Sequence, residues 1–62
     1  MPAPEEILQR MQECDIKSSA YLLNGNREQA YLELHKFILL AEIYKNVRYI
    51  EEAQNAMNNE SS

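Results

Sequence analysis

The segment Leu22-Leu23-Asn24-Gly25-Asn26-Arg27-Glu28-Gln29 decides the fold, because it holds the only glycine of the chain. Gly25 is suited to the left-handed conformation that ends a helix, and Asn26 is suited to cap the next helix. Gln29, three residues after Asn26, completes the pattern of a capping box. The segment therefore predicts a tight turn at residues 24–26 between two helices.

Few other residues in the chain interrupt a helix. Both prolines lie within the first four residues, and Pro4 suits the first turn of a helix, where its missing N–H is not needed. Glu5 and Glu6 then lie favourably at the positive end of the helix dipole. We predict a single domain over residues 1–62, and its elements are helix 1 over about 4–23, the turn at 24–26, helix 2 over about 27–57 and a polar tail at 58–62.

The two predicted helices carry matching apolar stripes with spacings of three and four residues. On helix 1 the stripe consists of Ile7, Met11, Cys14, Ser18 and Tyr21, joined by Leu8 and Leu22. On helix 2 it consists of Ala30, Leu34, Phe37, Ala41 and Tyr44. We expect these stripes to pack on each other, so the predicted fold class is all-α, a two-helix antiparallel hairpin with a longer second helix.

A second series of residues with the same spacings runs along helix 2, and helix 1 can cover only one side of that helix. This series, called the seam below, predicts an intermolecular coiled coil or bundle in which Asn46 fixes the register. It consists of Leu32, Lys36, Leu39, Ile43, Asn46, Ile50, Ala53 and Met57. All of these except Lys36 are predicted to bind the partner.

An alternative keeps the seam inside one molecule. If helix 2 breaks near residues 46–48 and folds back, the same residues form the core of a three-helix bundle. We favour association, because a core of this size seldom supplies more than about 3 to 5 kcal/mol. The chain also has too few cysteines and histidines for a disulfide or a zinc site, with Cys14 and His35 alone. We accordingly predict no metal and no cofactor.

The charge and hydropathy of the chain exclude several classes of partner. The net charge is −4 and the six basic residues are scattered, which argues against nucleic acid and against an anionic membrane surface. No apolar run approaches the ~18 residues of a membrane span, and the N-terminus is acidic where a signal peptide is basic. We therefore predict a cytoplasmic protein with a reduced Cys14.

No arrangement of residues here is typical of catalysis. The chain has neither a glycine-rich phosphate loop nor a nucleophile elbow, and its one histidine, His35, lies on a different predicted helix from Cys14. A cysteine in an apolar stripe is typical of a small buried side chain. We predict that the protein is not an enzyme, and the remaining alternative is a small redox or metal-dependent factor that uses Cys14.

The stretch Gly25-Asn26-Arg27-Glu28-Gln29-Ala30-Tyr31, continued by Lys36-Phe37-Ile38 and Leu40, resembles the helix-turn-helix of tetratricopeptide repeats. It is also similar to the MIT-like N-terminal domains of endosomal deubiquitinases. The resemblance covers residues 20–41. It implies a helical adaptor that dimerises or binds a helix of another protein.

Two functional hypotheses follow from the seam. In the first, the hairpin forms a homo-oligomer, a dimer or larger, and acts as a scaffold or regulator through protein contacts. In the second, it is a small chaperone or adaptor subunit in a hetero-complex, where the seam holds a helix of a different protein, as in the similarly sized co-chaperones of bacterial secretion systems.

Overall fold

The structure is a computed structural model that describes residues 3–61, with side chains described for residues 3–59. It contains two α-helices, α1 (Pro4–Leu23) and α2 (Arg27–Ser61), packed against each other. The molecule is a rod of 56 × 14 × 14 Å. The predicted all-α antiparallel hairpin is therefore confirmed, and the last residue of the predicted tail, Ser62, lies outside the described residues.

The first helix begins at Pro4, in the position that the sequence predicts. Ala3 precedes it in an extended conformation and has no side-chain oxygen to cap the helix. Its carbonyl instead accepts hydrogen bonds from the backbone N–H groups of Glu6, at 3.0 Å, and Ile7, at 3.3 Å. The carboxylates of Glu5 and Glu6 lie in the first turn, where they complement the helix dipole.

The turn between the helices is a Schellman motif followed directly by a helix cap. Gly25 has a φ of 77°, and its N–H donates to the Leu22 carbonyl at 3.0 Å, while the Asn26 N–H donates to the Tyr21 carbonyl at 2.8 Å. The Asn26 side chain then accepts a hydrogen bond from the Gln29 N–H at 3.3 Å. Because the Asn26 N–H already bonds Tyr21, the reciprocal half of the predicted capping box is replaced by the Schellman bond.

The second helix is continuous, so the alternative three-helix bundle is wrong. It passes through residues 46–48 without interruption, because no proline or glycine follows Gly25. It also continues through residues 58–61, which the sequence predicts as a polar tail. Asparagine and serine lower helix propensity there without removing a backbone hydrogen bond.

The two helices differ in length, 20 residues for α1 against 35 for α2. At 1.5 Å per residue the second helix extends beyond the first by roughly 22 Å. Among the α2 side chains that the structure describes, Val47 is the last buried one. Residues 48–61 form this projecting part, called the overhang below. The overhang contains the C-terminal third of the predicted seam.

The contact between the helices follows a spacing that averages 3.5 residues, as in a coiled coil. On α1 the buried residues are Ile7, Cys14 and Ser18, and Met11 and Tyr21 are half-buried. These are the residues of the predicted stripe, whereas Leu8 and Leu22 lie exposed at its edge. The inner face of α2 consists of Ala30, Glu33, Phe37, Leu40, Tyr44 and Val47, with Ala41 half-buried beside them.

One position of the predicted α2 stripe is wrong. Leu34 is 37% exposed, whereas its neighbour Glu33 is buried. The small side chains of Cys14 and Ser18 on α1 leave room for the Glu33 carboxylate, and Lys36 supplies its counter-charge at 3.3 Å. Leu40 and Val47 also belong to the inner face and are absent from the predicted stripe.

The core of the hairpin is thin. Its buried apolar side chains are those of Ile7, Cys14, Ala30 and Val47, and among the described residues no large side chain is completely enclosed. Burial of a large aliphatic side chain contributes about 1.5 to 3 kcal/mol. Much of the apolar side-chain area of this chain therefore remains in contact with water in the isolated hairpin.

Candidate protein-interaction surface

The seam lies on the surface of the hairpin along nearly the whole of α2. All seven predicted partner-binding residues are exposed, and Lys36 is exposed with them. The large apolar members retain about half of their area in water, from 41% for Ile50 to 67% for Met57. At 100° per residue the seam lies about a third of a turn from the inner face. The sequence pattern predicts that the seam lies roughly opposite the apolar stripe of α2, so this prediction is wrong, and the seam is nearer to α1.

A groove between the two helices borders the seam. Its α2 wall consists of the apolar residues Leu39, Leu40 and Ile43, together with Lys36. Its α1 wall is charged and includes Arg10, Glu13 and Lys17. A helix lying along the seam would thus contact apolar side chains of α2 and have charged side chains of α1 at its edge, the usual division between the core and the rim of an interface.

The overhang distinguishes the seam from the rest of α2. Beyond Val47 the inner face continues with Glu51 and Gln54, both polar, at the place where α1 no longer faces it. The seam continues there with the apolar residues Ile50, Ala53 and Met57. Where the contact with α1 ends, the inner face of α2 therefore becomes polar, whereas the seam stays apolar.

A second apolar edge lies on the opposite flank of the hairpin, where the sequence predicts only core residues. Leu34 and Ile38 of α2 are exposed there, and the spacing of the helices places Leu8 and Leu22 of α1 on the same flank. The series Tyr31, Leu34, Ile38, Ala41 could have revealed this edge by its 3-4-3 spacing. It is interrupted further along by Lys45, whose ammonium lies 5.9 Å from the centre of the Tyr49 ring.

Cys14 lies between the helices, next to the only buried acidic residue among those described. Its thiol lies close to the Glu33 carboxylate. Burial raises the pKa of the Cys14 thiol, and the negative charge of Glu33 raises it further. The thiol is consequently held in its protonated form, which is a poor nucleophile and a poor metal ligand.

Among the side chains described, those of residues 3–59, the structure brings no three His, Cys, Asp or Glu residues together in a group that could hold a metal ion. In the same part of the chain neither helix is long and apolar enough to cross a membrane. The seam and its bordering groove are therefore the surface with the clearest chemical character. The seam is an elongated apolar surface that runs along a helix.

Comparison with known proteins finds no match to this chain among family models, curated proteins or solved structures. The resemblance of residues 20–41 to tetratricopeptide and MIT-like hairpins stays a prediction.

Proposed function

We propose that this protein is a non-catalytic interaction module that self-associates through the seam and acts as a scaffold or regulator by means of protein contacts. The single observation that carries this proposal is the continuation of the apolar seam along the overhang. Ile50, Ala53 and Met57 face water there, at a place where the hairpin has no second helix to cover them. An apolar strip of this kind is typical of a helix that packs against another chain.

The free energy available from covering the seam is appreciable for so small a protein. Full burial of a large aliphatic side chain contributes about 1.5 to 3 kcal/mol. Leu39 and Ile43 each keep about half of their area exposed, so covering the rest of each contributes roughly 1 kcal/mol. In a two-fold symmetric dimer every such contribution occurs twice.

A second candidate function is a small chaperone or adaptor subunit whose seam holds a helix of a different protein. The thin core favours it, because no large side chain of the described hairpin is completely enclosed. A chain of this kind would gain much of its stability from its partner. Its isolated form would be a poorly folded monomer.

The test is the solution mass by light scattering over a concentration series, with circular dichroism on the same samples. We expect a helical dimer or larger oligomer for the natural chain and a helical monomer for Ile43→Lys/Ile50→Lys. The matched control is Ile38→Lys, which introduces the same charge at an isoleucine of the same helix that is exposed outside the seam. The control should keep the mass of the natural chain.

Three outcomes would contradict the proposal or redirect it. A well-folded monomeric natural chain would remove self-association as the function. A poorly helical monomer would favour the chaperone or adaptor subunit. Equal loss of mass in the seam variant and in Ile38→Lys would show that the interface is not confined to the seam.

A further inference from the structure

From Leu32 to Ile50 the polarity of the seam is symmetric about the level of residue 41. Leu39 and Ile43 lie two residues on either side of it, and both are apolar. Lys36 and Asn46 lie five residues on either side, and they are the two polar members of the seam. A third pair, again apolar and nine residues on either side, consists of Leu32 and Ile50. Ala53 and Met57 have no seam residue at the mirrored positions, which are Gln29 and Gly25.

Such a pattern matches the symmetry of an antiparallel pair of identical helices. In a two-fold symmetric interface, if residue i of one copy contacts residue j of the other, then j also contacts i. We propose that the occupant of the seam is a second copy of this chain, running antiparallel, with the two-fold axis at the level of residue 41. This inference rests on the proposed self-association and adds its direction and register.

In this arrangement six of the eight seam residues meet a seam residue of their own character. Leu39 packs against the partner's Ile43, and Leu32 packs against the partner's Ile50. Lys36 lies opposite the partner's Asn46, whose side-chain oxygen can accept a hydrogen bond from the ammonium. No polar side chain of the seam then faces an apolar one, which would leave its hydrogen-bonding groups unsatisfied.

The two nearest alternatives lack this match. A parallel pair in register places Lys36 against the partner's Lys36, two like charges in a partly apolar contact. An antiparallel pair shifted by one heptad places Asn46 against the partner's Ile43 and Lys36 against the partner's Ala53. The shifted pair leaves polar side chains without polar counterparts, and the parallel pair brings two like charges together.

The same register also covers the overhangs. Residues 48–57 of each copy run beside residues 25–34 of the partner, which belong to the turn end of the hairpin. Each overhang therefore packs against a hairpin, and the complex has three helices in cross-section at both ends. This register brings the two copies of Glu42 close to each other, because Glu42 lies near the two-fold axis. Glu42 is exposed, and repulsion between two solvated carboxylates destabilises the dimer by only tenths of a kcal/mol.

Distances between spin labels test the direction and the register. Labels are attached to Glu28→Cys or Glu42→Cys, both in a Cys14→Ser background, because these two positions are exposed and lie on the same side of α2, two heptads apart. From a rise of 1.5 Å per residue we expect a separation of about 40 Å between the two labels at position 28. At position 42 the labels should lie within about 15 Å of each other.

Each alternative gives a different pair of distances. Short distances at both positions would mean a parallel pair, and a separation of about 50 Å at position 28 would mean a shift by one heptad. Either result overturns this inference while self-association stands. A sample without any intermolecular distance and with the mass of a monomer would overturn both.

A double-mutant cycle on the dimer dissociation constant tests the polar contact itself. Lys36→Leu and Asn46→Leu are made singly and together, with helicity checked for each variant. The two positions are ten residues apart on one helix, about 15 Å, so they have no direct contact within a chain. We expect their effects on Kd to be non-additive by more than about threefold, and additive effects would overturn the contact between Lys36 and the partner's Asn46.

Discussion

Replacement of Glu33 by leucine should stabilise the hairpin. Glu33 is 6% exposed and occupies an inner-face position of α2 that is otherwise apolar or aromatic. A carboxylate in such a position carries a desolvation penalty of several kcal/mol. A leucine covered to the same extent contributes about 1.5 to 3 kcal/mol instead.

The interactions that the substitution removes are weaker. Glu33 accepts a hydrogen bond from Lys36 at 3.3 Å, but the Lys36 side chain is 61% exposed, and such a pair contributes about 0 to 1 kcal/mol. The Cys14 thiol loses its interaction with the Glu33 carboxylate, and a thiol is a weak donor. Replacement of buried ionic groups by well-packed apolar side chains is neutral or stabilising by up to about 4 kcal/mol in net terms. We therefore expect a net gain in the free energy of unfolding of about 1 to 3 kcal/mol, or roughly 5 to 20 °C in Tm for a domain of this size.

The assay is thermal and urea unfolding followed by circular dichroism, in the Ile43→Lys/Ile50→Lys background so that dissociation does not contribute. The control is Glu42→Leu, an exposed glutamate of the same helix, for which the change should stay within about 0.5 kcal/mol. A Glu33→Leu variant with a lower Tm than its parent would refute the reasoning. It would mean that the contacts of Glu33 with Cys14 and Lys36 outweigh its desolvation.

Two further predictions concern the turn and the thiol. Gly25→Ala should destabilise the hairpin by about 1 to 2 kcal/mol in urea unfolding, because Gly25 has a left-handed φ of 77°. An added Cβ would meet no atom within 4 Å, so the loss comes from the backbone conformation and not from a clash. Gly25→Asn should recover part of the loss, and an alanine variant as stable as the natural chain would contradict the left-handed turn. Because the folded pKa of Cys14 is raised, its contribution to stability should be complete below the pKa of the unfolded thiol and lost as the pH rises through the folded pKa. Cys14→Ala should abolish this alkaline loss, and iodoacetamide at pH 8 should modify the folded chain more slowly than the urea-unfolded chain; equal rates would mean that the thiol is not protected.

The limits of sequence-based prediction are clearest at Glu33 and Leu34. Spacings of three and four fit either residue after Ala30, so a rule that places apolar residues inside selects Leu34. The structure selects Glu33, because the small side chains opposite it and the nearby Lys36 make a carboxylate tolerable there. Such a choice depends on residues of the other helix, which are distant in sequence.

The seam shows a similar division. Its residues and their spacing are evident in the sequence, but their exposure depends on whether α2 is continuous and on how far α1 reaches along it. A break near residues 46–48 would have placed Ile43 and Ile50 inside the molecule. Their exposure in the hairpin is thus a property of the tertiary structure.

The sequence by itself determined the hairpin, both bounds of α1 and the turn, because Pro4, Gly25 and Asn26 act on the backbone within a few residues of their own positions. Only the tertiary structure decided that Glu33 rather than Leu34 lies in the contact with α1, and how much of the seam remains open. The physical reason is that a helix of 20 residues can cover one face of a helix of 35. The remaining faces are defined by the packing of the two helices, which no local signal encodes.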